Sequence, residues 1–204
     1  MTNQRLIKHL MEIGVLKTKS IINAFLEIDR NDFVADEFRD TDYIYNDEPL
    51  PIGYGQTISQ PYTVAFMLEL LHARVGDNIL DIGSGSGWTT ALLSQIVGDK
   101  GSVLGIEIIP ELVEFGQKNL AKYAIANVKI TNVNKYKFPH KPTLDKILVS
   151  ASAQTLPEKY LKALKPNGAL VIPIQNSIFK ITKTKSGKIE KEEHLGFVFV
   201  PLID

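Results

Sequence analysis

The sequence contains no cysteine among its 204 residues, which excludes disulfides, thiolate zinc sites and a cysteine nucleophile. Its four histidines, His9, His72, His140 and His194, share no close ligand spacing, so we predict no metal site. Neither sign of charge is in excess, because Lys plus Arg and Asp plus Glu each number 23. A balanced chain has no overall electrostatic attraction to nucleic acid or to an anionic membrane, and we expect neither as a partner.

Long hydrophobic runs are also missing. No stretch reaches the roughly 18 apolar residues that a membrane-spanning helix needs. The first residues, Met1–Leu10, lack the apolar segment of a secretory signal. We therefore expect a cytoplasmic protein. No long exposed apolar helix stripe is evident either, and we expect a monomer.

The pattern of apolar residues divides the chain into three parts. In residues 1–47, apolar side chains recur at helical spacing from Leu6 to Leu16 and from Ile21 to Ile28, which predicts an N-terminal helical extension. In residues 48–176, short apolar strands alternate with helices, as in a parallel sheet covered on both faces. The predicted strands are Asn78–Ile82, Ser102–Ile106, Val128–Thr131, Lys146–Ser150 and Ala169–Pro173, and the predicted helices are Thr89–Val97, Pro110–Tyr123 and Pro157–Leu164, the last ended by Pro166-Asn167-Gly168.

Residues 177–204 predict an antiparallel hairpin at one edge of the sheet. Apolar and polar residues alternate from Ile178 to Lys183, Ser186-Gly187 marks a turn, and a returning strand covers Lys188–Pro201. A mostly parallel, seven-stranded Rossmann-like sheet with helices on both faces and a C-terminal hairpin is the layout of class I methyltransferases. We predict this α/β fold, as a single domain over residues 1–204.

A glycine-rich segment, Asp81-Ile82-Gly83-Ser84-Gly85-Ser86-Gly87, joins a buried strand to a helix. Glycines allow a sharp turn and a close approach of the backbone to a ligand, and the helix N-terminus presents unpaired N–H groups. A dinucleotide enzyme uses such a turn for pyrophosphate. The Gly-x-Gly-x-Gly spacing, with a carboxylate that suits the cationic methionine moiety and would repel pyrophosphate, favours S-adenosylmethionine instead.

A second carboxylate, Glu107, lies 26 positions after Asp81 and follows the strand Ser102–Ile106. A carboxylate at that strand end can accept hydrogen bonds from both ribose hydroxyls of a nucleotide. A third signal is the loop Pro51–Pro61, which holds two glycines, two hydroxyl residues and two prolines. Because this loop leads into a helix just before the cofactor strand, it can fold over the open side of the cofactor.

These motifs resemble the protein-L-isoaspartate O-methyltransferase family. The resemblance rests on Tyr45–Pro61, on Asp81–Gly87 and on the C-terminal Gly196–Leu202, and the most discriminating segment is Thr57–Pro61. It covers nearly the whole chain. It implies Ser59 as the catalytic residue beside the reacting carboxylate, and Thr57, Ser59 and Val200 as substrate-binding residues. The implied cofactor-binding residues are Gln56, Thr57, Asp81, Gly83, Ser84, Gly85, Ser86, Gly87, Glu107, Ile108 and Asn134.

The sequence departs from the family pattern at one site. The family usually carries Gly-Asp-Gly after the third strand, with the aspartate near the adenine amino group, whereas Val133-Asn134-Lys135 stands here. The amide oxygen of Asn134 can still accept a hydrogen bond. We expect this contact to be weaker than that of a carboxylate.

The resemblance implies methyl transfer from S-adenosylmethionine to the carboxylate of L-isoaspartyl residues in proteins or peptides, which begins their repair through a succinimide. An ionised carboxylate is already a nucleophile at neutral pH and needs no general base. Three alternatives remain open. An RNA methyltransferase of this fold would be expected to have a basic face or an extra RNA-binding domain. Val149–Ala153 also lacks the (Asp/Asn)-Pro-Pro-(Tyr/Phe) run common in enzymes that methylate amino groups. The others are carboxyl methylation of one dedicated peptide and a non-catalytic homologue that binds the cofactor.

Overall fold

The structure, a computed structural model, describes residues 2–41 and 43–203. Met1 and Asp204, which bound the predicted domain, lie outside the described residues, as does Asp42. The helices are α1 (Asn3–Glu12), α2 (Lys19–Glu27), α3 (Pro61–Leu71), α4 (Trp88–Val97), α5 (Pro110–Leu120) and α6 (Glu158–Ala163). The strands are β1 (Leu50–Gly53), β2 (Gln56–Ile58), β3 (Asn78–Ile82), β4 (Ser102–Glu107), β5 (Val128–Asn132), β6 (Leu144–Val149), β7 (Leu164–Ile174), β8 (Ser177–Lys183) and β9 (Ile189–Leu195).

Seven of these strands form the central sheet, in the order β5-β4-β3-β6-β7-β8-β9. The strands from β5 to β7 in this order pair in parallel, whereas β7 with β8 and β8 with β9 pair antiparallel. β3, which leads into the glycine turn, is the middle one of the five parallel strands and lies between β4 and β6. The predicted mostly parallel sheet with a C-terminal hairpin is confirmed.

Helices cover both faces of this sheet, as predicted. The central strands are apolar on both sides, so Ile79 joins one hydrophobic cluster and its neighbour Leu80 joins the other. Helices α1 to α5 bury their apolar faces in the first cluster. Tyr160 and Ala163 of α6 belong to the second cluster. None of the helices in the described residues is long and apolar enough to cross a membrane.

The boundary between α6 and β7 differs from the prediction. The helix ends at Ala163, and Pro166-Asn167-Gly168 lies inside β7 instead of stopping a helix. Leu164, predicted as the last helical residue, is fully buried and pairs with Leu144 of β6. Strand pairing and burial therefore override the helical pattern of the local sequence.

The returning strand of the hairpin is shorter than predicted, because β9 ends at Leu195 and not at Pro201. Gly196 takes a φ of +96°, and the carbonyl of Asn176 accepts hydrogen bonds from the N–H groups of Gly196 and Phe197 at 3.1 and 3.2 Å. The chain leaves the sheet edge at this turn. Phe197 then stacks on Phe66 of α3, with ring centroids 5.0 Å apart. We call residues 196–203 the C-terminal strap.

The loop predicted before α3 contains a small β-hairpin. Strands β1 and β2 pair antiparallel, with Leu50 opposite Ile58. The two residues between them, Tyr54 and Gly55, have φ angles of +54° and +71°, as in the two-residue turns that match the twist of a hairpin. The buried side chain of Ile58 anchors the hairpin to the main hydrophobic cluster.

Candidate active site

A cavity lies at the carboxyl ends of the central strands, the edge where open α/β sheets bind ligands. It encloses about 860 Å³ when its open mouth is included. The β1–β2 hairpin, the glycine turn, the ends of β4 and β6 and the C-terminal strap form its walls. The predicted site residues that line it are Gln56, Thr57, Ser59, Gly83, Ser84, Gly85, Ser86, Glu107, Ile108 and Val200.

The glycine turn passes close beneath the β1–β2 hairpin. Gly83 and Gly85 have φ angles of +77° and +49°, a region that side chains with a Cβ rarely occupy. The carbonyl of Ile106 accepts hydrogen bonds from the N–H groups of Gly83 and Ser84 at 2.9 and 3.2 Å. A Cβ on Gly85 would lie 3.2 Å from Cδ1 of Ile52 in the hairpin. The glycine turn therefore lines the cavity with backbone atoms, which a ligand can approach closely.

Helix α4 starts at this cavity without a side-chain cap. Its first residues, Trp88 and Thr89, line the cavity, and the first N–H groups of a helix have no partner within the helix. Such N–H groups attract an anion, and the helix dipole adds to the attraction. The carboxylate at the amino-acid end of S-adenosylmethionine fits this position.

Glu107 is the last residue of β4, and its side chain is 6% exposed. Its Oε2 accepts a hydrogen bond from the N–H of Gly85 at 3.0 Å, and its Oε1 accepts from the N–H groups of Ile108 and Ile109 at 2.7 and 3.1 Å. Carboxylate oxygens have further lone pairs, so they can also accept the two hydroxyls of a ribose. The apolar side chains of Ile108 and Ile109 line the cavity beside it and suit a flat base.

Asp81 lies behind the glycine turn and not in the cavity wall. It is fully buried, and its Oδ2 accepts a hydrogen bond from the hydroxyl of Thr90 at 2.6 Å. Its Oδ1 has no hydrogen-bond partner among the described residues. Burial raises the pKa of Asp81 to about 7, the Thr90 hydrogen bond opposes this rise, and the charge of Glu107 adds to it. Direct contact with a bound cofactor remains a prediction for Asp81.

Gly87 and Asn134 also lie outside the cavity lining. A Cβ on Gly87 would meet Cδ1 of Ile130 at 3.0 Å and the carbonyl oxygen of Gly116 at 3.2 Å, so this glycine permits α4 and α5 to approach closely. Asn134 is exposed in the 3-10 turn Val133–Lys135. Val133, next to Asn134, lines the cavity. The cofactor-binding roles of Gly87 and Asn134 stay predictions.

The C-terminal strap is attached to the loop after β6. The N–H of Ser152 donates to the carbonyl of Val200 at 2.8 Å, and the N–H of Leu202 donates to the carbonyl of Ser152 at 2.8 Å. These bonds set Val200 and Leu202 in the cavity wall. Val200 was predicted to bind substrate, and that role stays a prediction.

Several lining residues were not predicted. Most are apolar or follow strands whose ends meet at this edge of the sheet, so the rule that ligands bind at carboxyl strand ends could have found Ser150 and Ala151. Apart from Val200, which the family resemblance implies, the strap residues carry no comparable signal, since their place depends on a turn that leaves the sheet. The unpredicted lining residues are Ile58, Ile82, Trp88, Thr89, Ile106, Ile109, Val133, Ser150, Ala151, Pro201, Leu202 and Ile203.

The described cavity lining has few side chains that could exchange a proton. Glu107 is the one titratable side chain among the described residues that line it. Over residues 2–41 and 43–203, no group of three or more His, Asp or Glu side chains could hold a metal ion. The geometry therefore provides hydrogen-bond donors, a carboxylate and apolar walls, and it suits a reaction that needs positioning more than proton transfer.

Known methyltransferases match this chain over nearly its whole length. Residues 1–204 match the family model described as protein-L-isoaspartate(D-aspartate) O-methyltransferase. The chain is 41% identical over 206 residues to a protein-L-isoaspartate O-methyltransferase of Pyrococcus horikoshii, covering 98% of this chain and 92% of the relative. It is 42% identical over 201 residues to an enzyme of the same name from Fervidobacterium nodosum, with 97% and 99% coverage.

A solved structure matches over the same length. It is a Plasmodium falciparum protein described as a protein-L-isoaspartate O-methyltransferase, in complex with S-adenosyl-L-homocysteine. The TM-score is 0.86 at 29% identity, and the match covers 100% of this chain and 99% of that one. In that protein, the same fold binds S-adenosyl-L-homocysteine, which is what remains of S-adenosylmethionine after methyl transfer.

Proposed function

This chain belongs to the protein-L-isoaspartate(D-aspartate) O-methyltransferase family, and we infer that it transfers the methyl group of S-adenosylmethionine to the carboxylate of L-isoaspartyl residues in proteins or peptides. One observation carries this conclusion. The loop Thr57–Ser59, which we assign to the methyl acceptor, and Glu107, which we assign to the cofactor ribose, line the same cavity. A bound cofactor would therefore lie within reach of the loop that holds the acceptor.

S-adenosylmethionine supplies an electrophilic methyl group on a sulfonium. Glu107 would hold the ribose, and the N–H groups at the start of α4 would hold the methionine carboxylate. The acceptor carboxylate, with a reference pKa of about 4, is ionised at neutral pH and needs no base. The chain's task is to hold this carboxylate in line at about 3–3.5 Å from the methyl carbon. We assign that task to the hydroxyl of Ser59 and to nearby backbone N–H groups.

Glu107, the one titratable side chain in the described lining, is assigned to the ribose, so no second group is left to act as a general base. This favours a carboxylate acceptor over an amine or a hydroxyl, which more often need one. Methylation converts the isoaspartyl carboxylate into an ester with a better leaving group. The neighbouring backbone nitrogen attacks the ester carbonyl, methanol leaves, and a succinimide forms. Water then opens the succinimide, and a fraction returns as normal aspartate. We propose repair of this kind, by a monomer in the cytoplasm, with residues 1–47, 48–176 and 177–204 as parts of one domain.

Methyl transfer to two peptides that differ only in isoaspartate or aspartate at one position tests this function. We expect base-labile methyl from labelled S-adenosylmethionine on the isoaspartyl peptide alone. Equal labelling of both peptides would reject specificity for isoaspartate. Retained binding of S-adenosylhomocysteine without any transfer would point to a dedicated peptide or to a non-catalytic homologue.

Replacing Ser59 with alanine tests the acceptor loop. We expect kcat for the isoaspartyl peptide to fall by roughly tenfold to a hundredfold, because a misplaced acceptor loses alignment with the methyl group. The affinity for S-adenosylhomocysteine should stay nearly unchanged. Calorimetric titration measures that affinity, and Ser186→Ala, in the exposed turn of the β8–β9 hairpin, is the control. A Ser59→Ala variant that no longer binds S-adenosylhomocysteine would contradict this division of roles.

A further inference from the structure

A fully buried arginine holds the segment that precedes the β1–β2 hairpin. The Nη2 of Arg30 donates to the carbonyl of Glu48 at 2.8 Å. The guanidinium lies 5.2 Å from the centroid of the Trp88 ring, at the start of α4. Burial lowers the pKa of Arg30 to about 9 and the charge of Asp47 opposes this shift, so Arg30 stays cationic at neutral pH. The negative charge of Asp47 thus acts on this buried cation.

The carboxylate of Asp47 reaches the start of helix α3. Its Oδ1 accepts a hydrogen bond from the N–H of Tyr62 at 2.7 Å, and its Oδ2 accepts from Nε2 of Gln60 at 3.1 Å. Gln60 stands at the N-cap position but makes no side-chain capping bond within the helix. Asp47 supplies the missing cap from a distant part of the chain, and its negative charge suits the helix N-terminus.

Ser59 lies between two anchored neighbours. Ile58, on one side, is buried and pairs with Leu50 across the hairpin. Gln60, on the other side, donates a hydrogen bond to the carboxylate of Asp47. Because both neighbours are held, the backbone of Ser59 has little freedom where it enters the cavity wall.

We propose that Asp47 is a positioning residue for methyl transfer, which holds Ser59 at the acceptor site through its hydrogen bonds to Gln60 and to the N–H of Tyr62. The proposal rests on the function inferred above. Asp47 is not among the residues that line the cavity, so it acts through its neighbours and not on the acceptor itself. Its loss should affect the acceptor step more than it affects cofactor binding.

Three variants test the proposal in the full-length protein. Asp47→Ala should lower kcat for the isoaspartyl peptide by about tenfold or more, with the Kd for S-adenosylhomocysteine changed less than about threefold. Gln60→Glu should also lower kcat, since two carboxylates then face each other. The double variant Asp47→Asn/Gln60→Glu exchanges donor and acceptor in this pair while the Asn oxygen can still accept from Tyr62, and kcat should recover at least in large part. Glu48→Gln is the matched control, because only the backbone carbonyl of Glu48 contacts Arg30.

Amide hydrogen exchange over residues 57–62 provides a readout that does not depend on activity. We expect faster exchange there in Asp47→Ala and Gln60→Glu, and a return toward the wild-type rate in the double variant. Unchanged exchange in Asp47→Ala, full kcat in that variant, or a double variant as slow as Gln60→Glu would each overturn the proposal. Wild-type protein that does not methylate the isoaspartyl peptide would instead reject the proposed function, and the exchange data would still decide whether Asp47 holds the loop.

Discussion

Replacing Glu107 with alanine is expected to weaken the binding of S-adenosylhomocysteine by about 10³-fold. Two ribose hydroxyls would lose a charged acceptor, and a hydrogen bond to a charged group contributes about 1.5–3 kcal/mol. The same change leaves the N–H groups of Gly85, Ile108 and Ile109 without their acceptor, so the glycine turn itself loses support. Isothermal titration at neutral pH measures the affinity, and thermal melting reports the loss of support.

Glu107→Gln is expected to weaken both contributions without abolishing either. Its amide oxygen can still accept from Ile108 and Ile109, but its amide NH₂ would face the N–H of Gly85, so the turn and the ribose site lose one acceptor each. We expect an affinity between those of wild type and Glu107→Ala. Glu114→Gln, an exposed change on α5, serves as the control for altered charge. An affinity of Glu107→Ala within tenfold of wild type would show that Glu107 does not hold the ribose.

Much of this site was predictable because its parts follow local rules. A short, largely buried strand, a turn that needs positive φ angles and a helix start are all encoded within Asn78–Val97. The carboxyl ends of parallel strands meet at one edge, so Glu107 could be placed beside that turn from sequence alone. The resemblance to a family placed Ser59 there as well.

Other features depend on contacts between distant parts of the chain. The strap leaves the sheet because the carbonyl of Asn176 accepts from Gly196 and Phe197, and the apolar run after Gly196 fits a strand equally well in the sequence. Leu164 becomes a strand residue because it pairs with β6. The capping of α3 by Asp47 spans 15 residues from acceptor to donor, and no local motif encodes it.

Asp81 is more deeply buried than its place next to the glycines indicates. A carboxylate next to the glycines predicts direct contact with a cationic ligand, and this contact stays a prediction. In the structure the side chain accepts a hydrogen bond from Thr90 beneath the turn. When it is ionised, its negative charge is expected to act strongly on a bound cation, because charges interact more strongly in buried, low-dielectric surroundings. Such a group is sensitive to pH near neutrality, because its pKa is raised to about 7.

Asp81→Asn is therefore expected to stabilise the ligand-free protein at pH 8. The folded pKa of about 7 lies above the reference value of 3.8, so folding favours the protonated acid. The resulting stabilisation is complete below the unfolded pKa and is lost as the pH rises through 7. At pH 8 the wild type keeps a buried, ionised Asp81, whereas the variant keeps a neutral amide. We expect the melting temperature of the variant to exceed that of wild type by about 5 °C at pH 8, and the difference to shrink toward pH 5.

Cofactor binding should strengthen as the pH rises, whereas the stability that Asp81 contributes to the ligand-free protein falls. The ammonium group of the cofactor's amino-acid end favours ionised Asp81, so the affinity of wild type for S-adenosylhomocysteine should rise by about threefold to tenfold between pH 6 and pH 8. Asp81→Asn should bind more weakly at pH 8 and lose this pH dependence. Asp99→Asn, an exposed change after α4, should alter neither property. If Asp81→Asn melts below wild type at pH 8 and keeps the wild-type pH dependence of binding, Asp81 does not titrate near neutrality, and its charge is not what the cofactor detects.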